Sequence, residues 1–285
     1  MRSSLPTLPP SPPPPEIAIL GGGRENALAG TWPDRHLENV TRAELHSHRV
    51  ATPRAMALVC AGGGYTSLVY DKEGTELALW LNGIGIDAHI LVHRLPGGRD
   101  GTGGHHGKDV ARQDGLRALA LLADRFADLP LFHVGLSSGG HLAGVLACHA
   151  QPVPARGLLI GYGPLNANHR DHKFPPDKPD YKPAAKQDFY DDWPVGLAGY
   201  ERTIPRLPVF LAYALRDAAV PVQHALRFIE TAAGQDLDLD AHVFGTAPHG
   251  FALRERAGTH AAWPALAQQW FDRLLQIDVD PGASL

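Results

Sequence analysis

"LFHVGLSSGGHLAG", residues 131–144, joins an apolar run of strand character to a helix-like run through a turn built of serine and glycine. Within it Gly135-Leu136-Ser137-Ser138-Gly139 fits G-x-S-x-G, the sharp strand-to-helix turn that raises a serine hydroxyl above the carboxyl edge of a parallel sheet. Such a turn crowds the positions two before and two after the serine. Around Ser137 these are Gly135 and Gly139, whereas Ser138 would put Leu136 at the first of them. Ser137 is therefore the candidate nucleophile. Ser138 is expected to act through its backbone N–H, which opens the new helix and gains from the helix dipole in facing an oxyanion.

Working outward, short apolar runs alternate with helical stretches from residue 56 onward. The runs "MALVC" (56–60), "DAHILVH" (87–93), "LFHVGL" (131–136), "GLLIGY" (157–162), "PVFLAYAL" (208–215) and "DAHVF" (240–244) read as strands. Between and after them "TELALWLNGIG", "DVARQDGLRALALLADRFADL", "GGHLAGVLACHAQ", "VQHALRFIETAAGQ" and "HAAWPALAQQWFDRLLQI" space apolar residues three and four apart. Strand alternating with helix predicts βαβ units: an α/β fold with a mostly parallel central sheet flanked by helices. Upstream, residues 16–49 mix short apolar pieces with Gly and Pro, as edge strands and turns do.

A glycine-rich G-x-S-x-G is unspecific by itself, and two further features give it weight. "VCAGGGYTSL" (59–68) sets three glycines directly after a predicted strand, where backbone amides of Gly63 and Gly64 can approach a bound ester as oxyanion donors. Downstream, Asp217 follows the strand at 208–215 and His249 follows the strand at 240–244, between Pro248 and Gly250. A base at His249 would take the Ser137 proton, and a carboxylate at Asp217 would fix the imidazole tautomer. Asp236, Asp238 and Asp240 precede the last strand and belong to the other edge of the sheet.

The rest of the composition narrows the class. Twenty-six Lys and Arg against 30 Asp and Glu give a net charge of −4 with no basic stripe, which argues against nucleic acid. Two cysteines, Cys60 and Cys148, make neither a disulfide framework nor a zinc pattern, and the adjacent histidines of "GGHHGK" (103–108) lack a carboxylate or thiol at ligand spacing. No metal and no cofactor is expected. No apolar run reaches the length of a membrane span and no signal peptide is visible, so the expectation is a cytoplasmic protein without membrane contact. Residues 1–16, proline-rich, are expected to form a disordered tail, with one domain over 17–285.

These pieces together resemble a known group. Residues 57–252, through "AGGGY", "EGTELALWLNGIGIDAHILVHRLP", "DVARQDGLRAL", "GLSSGGHLAG", "DAAVP" and "PHGF", are similar in order and separation to α/β-hydrolase esterases of the acetyl xylan esterase, endoxylanase-associated group. That group shades into feruloyl-esterase-like and kynurenine-formamidase-like enzymes. The resemblance implies an α/β-hydrolase fold and serine hydrolysis of short-chain acyl esters, with Ser137, Asp217 and His249 in the triad positions. The chain departs at Cys60-Ala61, where the group tends to carry His or Pro, and at Ser138, where it often carries Ala.

A larger departure is residues 163–206, a proline-rich stretch between two strands at the position of a cap, too long for a simple connection. Its aromatics, Tyr190 and Trp193 foremost, are candidate substrate contacts together with Tyr65, and Asn166, Asn168, His169, Arg170 and Asp171 are candidates for binding hydroxyls. An arm that packs on its own domain or on a second subunit, making a homodimer, is the alternative. The sequence thus reads as an esterase acting on a small-molecule or oligosaccharide ester; an amide or formamide hydrolase is the second reading, and a non-catalytic binding protein on the same scaffold the third.

Overall fold

The computed structural model of the chain describes residues 11–150 and 152–276. Its strands are β1 (Glu16–Gly21), β2 (Leu28–Ala29), β3 (His36–Glu38), β4 (Ala43–His48), β5 (Ala55–Cys60), β6 (Ser67–Leu68), β7 (Ile86–Val92), β8 (Leu131–Leu136), β9 (Ala155–Gly161), β10 (Val209–Ala214) and β11 (Leu239–Phe244). Its helices are α1 (Glu76–Gly83), α2 (Val110–Phe126), α3 (Ser138–Ala147), α4 (Ala184–Asp192), α5 (Gln223–Gly234) and α6 (Trp263–Gln276). Eight strands form one sheet in the order β1-β4-β7-β5-β8-β9-β10-β11, and β2, β3 and β6 make a small second sheet. Pairing is antiparallel from β1 through β4 to β7 and parallel everywhere else in the large sheet.

The sheet is buried on both faces because its central strands are apolar on both faces and not at alternate positions, with Asp87, His89 and His133 as buried polar exceptions. In β5, Ala55, Ala57 and Val59 belong to the core that holds α1 and α6, while Met56, Leu58 and Cys60 belong to the core that holds α2, α3 and α5. Phe132 of β8 packs edge-on against Phe271 of α6, with ring centroids 4.8 Å apart. Helix α3 is buried along its whole length, which the apolar and small residues all round it allow.

The predicted strands from residue 56 onward agree with β5 and β7 to β11 to within two residues. The upstream reading needs two amendments. Glu16, expected in the tail, is the first residue of β1; residues 11–15 carry no helix or strand, and 1–10 lie outside the described residues. Strand β4, with the polar sequence AELHSH, is not an edge but the second strand in, between β1 and β7. Its buried Glu44 is satisfied by Arg42 Nε at 2.6 Å and His46 Nε2 at 2.7 Å, and His46 Nδ1 meets the Tyr70 hydroxyl at 2.7 Å.

Residues 163–206 cover the carboxyl end of the sheet with irregular chain, the helix α4 and a 3-10 turn at Glu201–Thr203. His224 of α5 ties down the start of this segment: its Nδ1 accepts the backbone N–H of both Asn166 and Ala167 at 2.8 Å. Asn166 in turn donates to the carbonyls of Val195 and His224 at 3.1 Å. Asn166, one of the residues read from sequence as hydroxyl binders, is spent on holding the segment in place.

Candidate active site

Ser137 follows β8 directly, in the backbone conformation φ 51°, ψ −129° that the turn imposes. For a non-glycine residue this is strained, and strain of this kind collects at functional sites. The two flanking glycines are enforced by contact: a Cβ at Gly135 would stand 2.2 Å from the Gly139 carbonyl oxygen, and one at Gly139 would stand 1.9 Å from that of Cys60. Neither position has room for any side chain.

His249 and Asp217 meet the serine from the loops after β11 and β10. Ser137 Oγ lies 3.3 Å from His249 Nε2, and His249 Nδ1 lies 2.7 Å from Asp217 Oδ2. Asp217 Oδ1 also accepts the backbone N–H groups of Ala219 and Val220 at 2.8 Å, and the carboxylate is wholly shielded from solvent. Its acceptor role holds the imidazole proton on Nδ1 and leaves the Nε2 lone pair for the serine hydroxyl. Two of the three rival acids are engaged elsewhere: Asp238 with Arg273 at 3.0 Å, and Asp240 with His242 at 3.0 Å.

Gly63 and Gly64 border the same cleft, of about 420 Å³, together with Ser137, Ser138 and His249. Gly63 is fixed through its carbonyl, which accepts Thr66 N–H at 3.1 Å, Thr66 Oγ1 at 2.9 Å and Ser67 N–H at 3.2 Å. The Gly64 N–H donates to Ser138 Oγ at 2.9 Å. Ser138 therefore meets the glycine loop through its hydroxyl, a contact the sequence reading did not foresee.

Of the three aromatic candidates, only Tyr190 lines the cleft. Tyr65 has to be corrected: it is 1% exposed, its hydroxyl meets His141 Nδ1 at 2.9 Å, and its ring packs among His93, His141, Phe189 and Tyr190 beneath the site. Trp193 is corrected too. It lies past the end of α4 against His149, with Arg112 at 5.4 Å and Arg202 at 5.0 Å from its ring centroid, outside the cleft.

Two charged residues that sequence reasoning missed stand in the cleft. Glu73, in a π-helical turn at Asp71–Thr75 just before α1, is 4% exposed. Its Oε2 accepts the Gly62 N–H at 2.9 Å and its Oε1 accepts the Tyr162 hydroxyl at 3.2 Å. The Tyr162 ring packs edge-on against His249, with centroids 5.2 Å apart. Burial raises the carboxyl's pKa, against the pull of the Gly62 amide, His249, Tyr162 and Lys72. The second is Lys186 of α4, 9% exposed, whose ammonium burial pushes below the ordinary lysine value, with Lys178 adding to the effect. Neither had a sequence signal: Glu73 lies in the polar run Asp71-Lys72-Glu73-Gly74-Thr75 and Lys186 is followed by Gln187-Asp188, as at many surface positions.

The strand order, the strained turn after β8 and a serine, aspartate and histidine brought together in that chain order define an α/β-hydrolase fold. Solved structures agree. A sugar hydrolase from Lactococcus lactis superposes with a TM-score of 0.65 at 19% identity, over 88% of this chain and 99% of its own. An acetyl ester-xyloside bifunctional hydrolase from Caldicellulosiruptor lactoaceticus gives 0.62 at 21% identity, over 82% and 88%. A thermophilic esterase from the planctomycete Thermogutta terrifontis gives 0.63 at 17% identity, over 98% and 99%. At these identities the likeness is one of fold. No protein-family model matches the chain, and no curated protein matches it in sequence. Among the described residues no helix is long and apolar enough to cross a membrane, and no three His, Cys, Asp or Glu side chains are grouped as metal ligands.

Proposed function

We propose that the protein is a serine esterase that hydrolyses carboxylic esters of a short acyl group, acetyl foremost, carried on a sugar or small natural product. The observation that carries this reading is the pair of hydrogen bonds from Ser137 to His249 and from His249 to Asp217, set in a cleft against backbone amides. That solved neighbours include an acetyl ester-xyloside bifunctional hydrolase, a carboxylesterase and a thermophilic esterase supports it.

In this mechanism Ser137 Oγ attacks the ester carbonyl carbon while its proton passes to His249 Nε2. The carbonyl π electrons move onto oxygen, and the amides of Gly63, Gly64 and Ser138 face the charge that forms. For Gly64 the oxyanion takes the place of Ser138 Oγ as acceptor. Collapse of the tetrahedral adduct breaks the bond to the alcohol oxygen, which takes the proton from His249 and leaves. Water then attacks the acyl-serine, gives its proton to His249, and the second collapse releases the acid and restores the serine hydroxyl. Asp217 stays ionised throughout and stabilises the imidazolium.

The test is a screen of 4-nitrophenyl acetate, butyrate and octanoate, acetylated xylo-oligosaccharides, methyl ferulate and N-formylkynurenine, with released acid as readout and Ser137→Ala as control. Hydrolysis of the acetyl esters that disappears in the variant is expected. A chain that cleaves none of the esters, or a Ser137→Ala protein as active as the wild type, would overturn the reading; cleavage of the formamide alone would move it to amide hydrolysis.

A further inference from the structure

The positive charges around the cap are mostly answered by carboxylates. Arg170 pairs with Asp191 at 3.3 Å, Lys108 with Asp192 and Lys173 with Asp180. On the floor of the cleft, Lys72 has Glu73 as an electrostatic partner. Among the described residues Lys186 has no such partner, and neither has Lys178, which donates to the amide oxygen of Asn168 at 3.3 Å. No carboxylate among them lies within 4.0 Å of Lys186, although its side chain is more than nine-tenths buried. Its ammonium sits 4.5 Å from the centroid of the Tyr181 ring and would be 3.8 Å from a Cβ at Gly64, so it lies over the oxyanion loop. Lys178 adds a second positive charge, 5.1 Å from the same ring centroid.

A buried ammonium without an anion is costly, and a leucine or methionine at this position would fill the same space on α4 without that cost. A site that keeps such a charge at the edge of its cleft is suited to a substrate that supplies the missing anion. We infer that the ester taken by this site carries a carboxylate, seated on the Lys186 ammonium between Gly64 and Tyr181. The inference rests on the esterase reading above and adds the chemical class of the substrate to it. The geometry fits a carboxylate on the acyl half, as in a half-ester of a dicarboxylic acid, and one on the alcohol half, as in an acylated hydroxy acid or uronic acid.

Matched substrate pairs test it on the full chain. The acyl arm compares 4-nitrophenyl hemisuccinate with 4-nitrophenyl butyrate; the alcohol arm compares 4-acetoxybutyrate with 4-acetoxybutanamide. In at least one arm the wild type should favour the anionic member in kcat/KM by roughly tenfold or more, the scale of one charge-assisted contact. That preference should shrink with added salt, collapse in Lys186→Met and Lys186→Gln, and survive in Lys186→Arg. The arm that responds identifies which half of the ester carries the carboxylate. A wild type that favours the neutral member in both arms, or a ratio unchanged in both neutral variants, overturns the inference. So does an equal loss on both members of a pair, which would make Lys186 an aid to the oxyanion and not a reader of substrate charge. If the neutral esters turn over without any preference, only this inference falls; if no ester turns over, the esterase reading falls with it.

Discussion

Ser137 and Ser138 are neighbours with the same side chain and opposite consequences. In the proposed mechanism Ser137→Ala removes the attacking oxygen, and its kcat should fall at least about a thousandfold, the scale seen when a triad member is deleted. Ser138→Ala keeps the backbone amide and frees the Gly64 N–H from the hydroxyl it now meets, so the loss should stay within about tenfold; steady-state kinetics on 4-nitrophenyl acetate separates the two. A larger loss for Ser138→Ala than for Ser137→Ala would invert the assignment. Glu73 gives a second contrast at this scale. Glu73→Gln retains an acceptor for the Gly62 amide and should change kcat by no more than a few fold, whereas Glu73→Ala releases the loop at Gly62–Gly64 and, if that loop holds the oxyanion as proposed, should cost about tenfold or more in kcat with KM little moved. Equal behaviour of the two variants would mean that the amide contact does not position the loop.

The elements most legible in the sequence are those with the plainest physical signature. Strand β5 is an unbroken apolar run, and β7 and β8 are apolar but for Asp87, His89 and His133, because helices cover both their faces; the Gly135 and Gly139 pattern follows from backbone contacts under 2.5 Å that no side chain survives. Strand β4 escaped because its interior position depends on Arg42, Glu44, His46 and Tyr70 satisfying one another, which no period-two pattern announces. Helix α4 escaped because its charged and polar residues are arranged by docking on the cleft and not by an apolar stripe. The error over Trp193 has the same root. By helical spacing residues 186, 190 and 193 share a face, but the helix stops at Asp192 and Trp193 turns away at φ −132°, ψ 62°. Consequently Tyr190→Ala should raise KM for a bulky ester several fold more than for 4-nitrophenyl acetate, because it removes a contact made in substrate and transition state alike. Trp193→Ala, outside the cleft, should shift the ratio between the two substrates by less than about twofold. If Trp193→Ala moves that ratio more than Tyr190→Ala does, the cleft has been assigned to the wrong face of the cap.

For the molecule as a whole, the buried histidines make acid a destabilising condition. Burial lowers His89, His133 and His141 to about 4, and it holds His224 well below the usual histidine value. The unfolded chain takes up these protons near the usual histidine value of about 6.5, and the folded chain only near 4, so stability falls as the pH drops through that window and is flat above it. Each such group contributes about 1.4 kcal/mol per pH unit, so the thermal midpoint should drop by roughly ten degrees or more between pH 7 and pH 5. His133, whose two ring nitrogens find no partner among the described residues, is the cleanest handle: His133→Leu should flatten the pH dependence, and an unchanged slope would show that other groups set it. A last consequence concerns how such a molecule can be redirected in the laboratory. Beneath Ser137 the turn is backbone pressed on backbone, Gly135 on Gly139 and Gly139 on Cys60, and offers nothing to randomise. The roof of the cleft is three side chains, Tyr181, Lys186 and Tyr190, within ten positions of one another and belonging to a segment that the sheet does not thread. A saturation library confined to those three codons should retrain the preference for the ester while leaving the turn around the nucleophile untouched.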